Sequence, residues 1–197
     1  VCLQPFQWSK DGLPLFGEPI SRGRTLKAPA GESTNRAGAS FHDTFEHGNW
    51  DDWIYFGYNR FIWSADGVLH LGARPDWGVV NDFRCGEKAL VRGLEWANLT
   101  ARVRIRIEEG GRDAGLLFRV RRPAVGYDAQ RGYFAGIIPQ TRKVVLGKMD
   151  GKGWTELALV DYPATVGQWY LLAVETNGDL IRVFVNDEMK IETRDPS

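Results

Sequence analysis

From Phe41 onward, hydrophobic residues arrive in short alternating runs, and each run is closed by Gly, Asp or Asn. The runs are "VLHLGA" (68–73), "NLTARVRIRIE" (98–108), "AGLLFRVR" (114–121), "GYFAGII" (132–138), "KVVLGKM" (143–149), "WTELALV" (154–160), "WYLLAVET" (169–176), "LIRVFVN" (180–186) and "MKIET" (189–193). A period of two is what a strand buried on one face requires. No segment of helical length carries a 3.6-residue period. "MDGKG" and "TNGD" are hairpin loops between neighbouring runs. Many short strands at regular spacing predict an all-β chain folded as an antiparallel β-sandwich.

Alternation also assigns faces. In "ARVRIRIE", Val103, Ile105 and Ile107 point inward and Arg102, Arg104 and Arg106 outward. In "AGLLFRVR", Leu116, Phe118 and Val120 point inward, leaving Leu117, Arg119 and Arg121 outside. Phe134 fits the core, which turns Arg131, Tyr133 and Ala135 outward. Trp169 opens an apolar strand and is expected inside. Trp154 has two readings, core or ligand surface. The chain has eight Trp, and Trp is rarely hidden completely, so two or three are expected on the surface.

Residues 1–23 read as an extended N-terminal unit around a Lys10-Asp11-Gly12 turn. Residues 24–40 have a linker's composition, and 41–197 form the sandwich. The opening "VCLQPF" reads as that of a fragment of something longer or of an excised module. Cys2 and Cys85 make no metal motif or redox pair, and a disulfide between them is an open alternative. Twenty-five basic residues balance 25 acidic ones, so charge gives no reason to expect nucleic acid or an anionic membrane as partner. No apolar run approaches the roughly 20 residues a bilayer-spanning helix needs.

Catalytic patterns are missing. His42, His47 and His70 flank no nucleophile elbow and form no HExxH pair. The "EEGGRDAG" stretch (108–115) is a loop without phosphate-binding spacing. Sandwich glucanases carry acid and nucleophile on one strand as Glu-x-Asp-x-Glu, and this chain has no such run. The isolated chain is therefore expected not to be an enzyme. "FHDTFEHGNWDDW" (41–53) clusters oxygen donors around glycine, which suits structural calcium with Asp43 and Glu46 as ligands. A solvated acidic loop is the alternative.

The stretch 126–157 gathers aromatic and charged residues that catalysis does not explain. A sugar offers an apolar CH face to an aromatic ring and vicinal hydroxyls to Arg or carboxylate groups. The expected carbohydrate-binding residues are Arg119, Tyr133, Asp128, Tyr127, Arg131, Trp154, Glu156, Trp77 and Glu87. Arg119 and Asp128 would hold hydroxyls, and Tyr133 or Trp77 would stack on the ring. So many charged groups suit a pocket for a chain end.

"FHDTFEHGNWDDW", "WSADGVLHLGA", "AGLLFRVRRPAVGYDAQRGYFAGI", "VVLGKMDGKGWTEL" and "GQWYLLAVETNGDLIRVFVND" occur in an order that resembles carbohydrate-binding module family 66. That family is known from fructan-degrading enzymes and has a concanavalin A-like jelly-roll sandwich. "LQPFQWSKDGLPLFGEP" resembles the end of a glycoside hydrolase family 43 catalytic propeller. The resemblance implies a non-catalytic module of a secreted, extracellular hydrolase, with a family 43-like domain in the same parent chain. Fructan, arabinan and xylan are the implied ligands. It also implies a further strand after residue 197, or its replacement by residues 1–20. The alternatives are a structural appendage that packs on a propeller without binding sugar, and a sandwich-fold glycosidase.

Overall fold

The computed structural model describes residues 6–17, 40–46, 51–57, 62–72, 86–151 and 153–196. Trp77, both cysteines, His47 and residues 24–39 of the expected linker lie outside the described residues. The chain forms two compact units, Val1–Ser33 and Thr34–Ser197. In the first, β1 (Phe6–Trp8) pairs antiparallel with β2 (Pro14–Phe16). The turn falls at Lys10-Asp11-Gly12 as expected, closed by Ser9 N–H donating to Leu13 O at 2.8 Å and Gly12 N–H to Ser9 O at 3.1 Å.

Every element described in the second unit is a strand: β3 (Trp53–Phe56), β4 (Ile62–Ala65), β5 (Val68–Leu71), β6 (Lys88–Val91), β7 (Leu99–Arg106), β8 (Ala114–Arg121) and β9 (Arg131–Ile138). They are followed by β10 (Lys143–Asp150), β11 (Trp154–Asp161), β12 (Trp169–Asn177), β13 (Leu180–Val185) and β14 (Glu188–Arg194). Two antiparallel four-stranded sheets dominate, β8-β9-β10-β11 and β7-β12-β13-β14, and β3 pairs with β6 and β4 with β5. All nine alternating runs are strands. The short β3 ("WIYF"), β4 ("IWSA") and β6 ("KALV") carry no polar–apolar alternation and were not among those runs.

The inner faces of the two large sheets make one core. Ile137, Val144 and Leu146 from one sheet meet Leu172, Val174, Ile181 and Val183 from the other, all fully buried. Ile105 and Ile107 point inward and Arg102, Arg104 and Arg106 outward, as the alternation predicts. At one end of the sandwich, Lys148 donates to the buried carboxylate of Asp195 at 2.7 Å. That hydrogen bond holds the Lys148 ammonium above its ordinary range.

Three faces differ from the alternation reading. In β9 the buried set is Tyr133, Ala135 and Ile137, and Phe134 lies on the outer face. Tyr133 pairs with Phe118 across the strands and stacks on it at 5.3 Å between centroids. A 4% exposed ring in the core cannot stack on a sugar, so the expected role of Tyr133 is corrected. The reason is compositional. Gly132 and Gly136 share Phe134's face and offer the core no side chain, whereas Tyr133, Ala135 and Ile137 do.

The second difference is Arg119. It sits at a β-bulge with φ of 52°, between the paired residues Phe118 and Arg121. The bulge sends its side chain to the other sheet, where Nε donates to Ala97 O at 2.8 Å and an η-nitrogen to Gly178 O at 2.5 Å. Arg119 therefore ties the ends of the two sheets together and does not stand on the outer face. The third is Trp169, which is half-buried on an outer face. Arg104 and Arg106 place their guanidinium carbons 5.4 and 4.9 Å from its ring centroid.

Replacing Tyr133 by Ala should cost about 3 kcal/mol of stability by analogy with other buried aromatic truncations, and Tyr133→Phe much less. Urea unfolding checks it. Equal midpoints for wild type and Tyr133→Ala would put the ring back on the surface.

Candidate functional site

The loop 122–130, between β8 and β9, carries two of the expected ligand residues, Tyr127 and Asp128, both exposed. Its ends are clamped by Ala124 N–H donating to Ala129 O at 2.7 Å. Beneath it lies Lys88, only 4% exposed, whose ammonium donates to Gly126 O at 2.6 Å, Gln130 Oε1 at 2.6 Å and Ala124 O at 3.1 Å. Glu87 immediately precedes Lys88, at the start of the strand that supports the loop. Tyr127 is 42% exposed, and the Arg112 guanidinium lies 5.8 Å from its ring centroid.

The loop forms one wall of a shallow cleft of about 340 Å³. Arg122, Ala124, Gln130 and Arg131 line one side and Asp150 and Gly151 the other. Arg131 is the cross-strand partner of Asp150. The β10–β11 turn closes on itself through Gly153 N–H donating to Asp150 Oδ1 at 3.1 Å. The alternation reading took "MDGKG" only as a hairpin and so missed Asp150. Gln130 and Lys88 were missed because the groups that face them are backbone carbonyls and residues remote in sequence.

Beside the turn stands Trp154, opposite Met149, and 38% exposed on the outer face. A β-bulge between the Leu146 and Gly147 pairings puts it there. Ala158 and Val160 pack on the core, and an unbroken alternation would carry Glu156 and Trp154 inward with them. Leu157 is the extra residue. It packs inward next to Ala158, and the phase reverses, so Trp154 and Glu156 emerge outside. Gly147 makes the arrangement possible, because a Cβ there would overlap the benzo edge of the Trp154 ring. Phe134 meets Trp154 edge to face at 6.3 Å. The result is an aromatic ledge of Trp154 and Phe134 on the outer face, on the strand that follows the turn lining the cleft.

The structure thus brings Tyr127, Asp128 and Arg131 to the cleft and its loop, with Glu87 just before the supporting strand and Trp154 and Glu156 on the outer face of the strand that follows the cleft's turn. It does not bring Arg119 or Tyr133 there.

Asp43 is used locally. Its Oδ1 accepts from Phe45 N–H at 2.7 Å and its Oδ2 from Trp53 Nε1–H at 2.6 Å. A calcium ion would have to share or displace those donors, and Glu46 is exposed in the following turn. Among the described residues no group of three or more His, Cys, Asp or Glu converges as a metal site. His70 lies face to face on Trp63 at 3.7 Å, an ordinary packing role.

Burial, helped by the nearby Asp43 charge, pushes the Tyr55 phenol from 10.0 to about 12. A raised pKa means the fold favours the neutral phenol. That stabilisation is complete below pH 10 and is lost as pH climbs toward about 12. The phenolate absorbance of wild type minus Tyr55→Phe should therefore rise near pH 12, and Asp43→Asn should lower that midpoint only slightly. A difference titration centred at the ordinary tyrosine value would contradict the burial of Tyr55.

Two comparisons bear on this architecture. The family model described as a 3-keto-alpha-glucoside-1,2-lyase-like domain matches residues 38–197, and the chain belongs to that family. A solved family 66 carbohydrate-binding module from Bacillus subtilis is similar, with a TM-score of 0.50 and 22% identity over 55% of this chain. The chain spans 65% of the length of that module. At this identity the likeness shows the fold, and it agrees with the resemblance read from the sequence. No curated protein matches. Residues 1–23, read as resembling the end of a family 43 catalytic domain, lie outside the family match.

Proposed function

We propose that the sandwich recognises carbohydrate, held in the cleft between the 122–130 loop and the β10–β11 turn with Trp154 as the stacking ring. The observation that carries this reading is the ledge itself. A tryptophan is turned out of the core by a bulge and laid over a glycine, on the strand that follows the turn lining a cleft with two arginines and an aspartate. Ring faces take the CH surface of a sugar, and guanidinium and carboxylate groups take its hydroxyls. Both comparisons name carbohydrate in their descriptions, which supports the same class of ligand.

In this reading the chain is the non-catalytic module of a secreted, extracellular glycoside hydrolase. It engages ends of fructan, arabinan or xylan, and a family 43-like catalytic domain precedes it in the parent chain. Structural calcium at Asp43 belongs to the same proposal. Titration calorimetry against these three polysaccharides, with and without chelator, tests it. Trp154→Ala should weaken binding by about 1–3 kcal/mol, the scale of a lost stacking partner that also fills a pocket. Arg119→Ala should leave affinity unchanged and lower stability by about 1 kcal/mol, since its two carbonyl acceptors can turn to water. A folded protein that binds no glycan, or a Trp154→Ala variant that binds as tightly as wild type, overturns the reading.

The family match supports a second reading, lyase action on a 3-keto glucoside. A 1,2-elimination removes the C2 proton, acidified by the C3 carbonyl, and breaks the C1–oxygen bond as the electron pair forms a C1–C2 double bond. The departing oxygen leaves as an alcohol once protonated. Asp150, the carboxylate lining the cleft, would take that proton in this reading. Incubation with a 3-keto-disaccharide should then generate the ultraviolet absorbance of a conjugated enone, lost in Asp150→Asn. Intact substrate after prolonged incubation refutes this second reading.

A further inference from the structure

We propose that Lys88 is a positioning residue whose buried ammonium organises the 122–130 loop and, through Gln130, sets the cleft wall against the Trp154 strand. Three observations converge on it. Lys88 is 4% exposed, yet the residues flanking it on β6 make an ordinary strand. Its ammonium collects two loop carbonyls and a side-chain amide oxygen within 3.1 Å. Two of these acceptors belong to Ala124 and Gln130, which line the cleft. The ammonium therefore sits directly behind the wall a ligand would touch.

Gln130 passes the constraint on. It is 2% exposed, its Oε1 faces Lys88, and its amide N–H donates to the Met149 sulfur. Met149 is the cross-strand partner of Trp154. One continuous set of contacts thus runs from β6 through the loop to Met149 on β10, the residue that pairs with Trp154 in the sheet. A loop without secondary structure has few means of fixing carbonyls inward. Hydrogen bonds to a charged donor are about twice as strong as neutral ones, and leaving such carbonyls buried without a donor is unfavourable. The loop wraps around the cation much as a backbone wraps a bound ion.

The loop claim stands alone, and the ligand claim rests on the carbohydrate reading above. Hydrogen exchange of the 122–130 peptide, read by mass spectrometry, tests the first. Lys88→Met should accelerate exchange there by about tenfold or more and leave β12 and β13 unchanged. Lys88→Ala leaves a gap, and ammonium ions should restore protection where sodium at equal ionic strength does not. Wild-type loop exchange in folded Lys88→Met, or no difference between ammonium and sodium, overturns the proposal. Should the Lys88 variants fail to fold, Gln130→Ala decides: faster loop exchange upholds the proposal and wild-type exchange overturns it.

Fructan, arabinan and xylan oligosaccharides titrated into the same samples separate the two claims. Binding weakened about tenfold in the variant with a loosened loop supports positioning, because a preorganised site binds at lower ordering cost. Equal affinity despite a loosened loop overturns positioning and leaves carbohydrate recognition standing. No binding by wild type, with the loop loosened in the variants, removes carbohydrate recognition and leaves the loop claim.

Discussion

The stacking of Tyr133 on Phe118 inside the sandwich fixes which face of β9 is which, and the candidate site follows from that choice. With Tyr133, Ala135 and Ile137 committed to the core, Gly132, Phe134 and Gly136 fall on the outside. The outer surface then has little side chain near Phe134 and Gly147. Aromatic rings can lie low over such a floor, and Trp154 does. The core and the ledge are two sides of one alternation.

The cleft is held by a different kind of force. Its loop has a single backbone clamp of its own and depends on a lysine from a strand far away in sequence. Charge directed at backbone carbonyls does here what a sheet ladder does elsewhere. Arg119 repeats the device at the end of the sandwich, where it spans from β8 to the carbonyl before β7 and the carbonyl in the β12–β13 turn. In both cases a cation that sequence alone would assign to a ligand or to solvent is spent on chain conformation.

How far the sequence could be read depends on the distance over which each feature is decided. Strands β7 to β14 were legible because two-residue alternation is local and six to nine residues of it suffice. The direction of β9 was not, because Phe134 and Tyr133 are both acceptable core residues, and the glycines that decide between them act by lacking side chains. Trp169 misled for the same reason, since its apolar neighbours sit on the opposite face. The aromatic and charged loop was legible as a candidate site, and Tyr127, Asp128 and Arg131 do gather there. Lys88 and Arg119 were opaque because carbonyl acceptors leave no trace in a residue pattern.

The bulge at Leu157 has a further consequence for how such a surface can change over generations. Whether Trp154 and Glu156 meet solvent or core depends on one supernumerary residue, not on their own identities. Losing that residue would shift the strand's phase and exchange the two faces along its first half, with no substitution at either position. The binding character of this edge is thus encoded in chain length as much as in chemistry. Related sandwiches could gain or lose an aromatic ledge by a single-codon insertion or deletion while keeping every core residue they had.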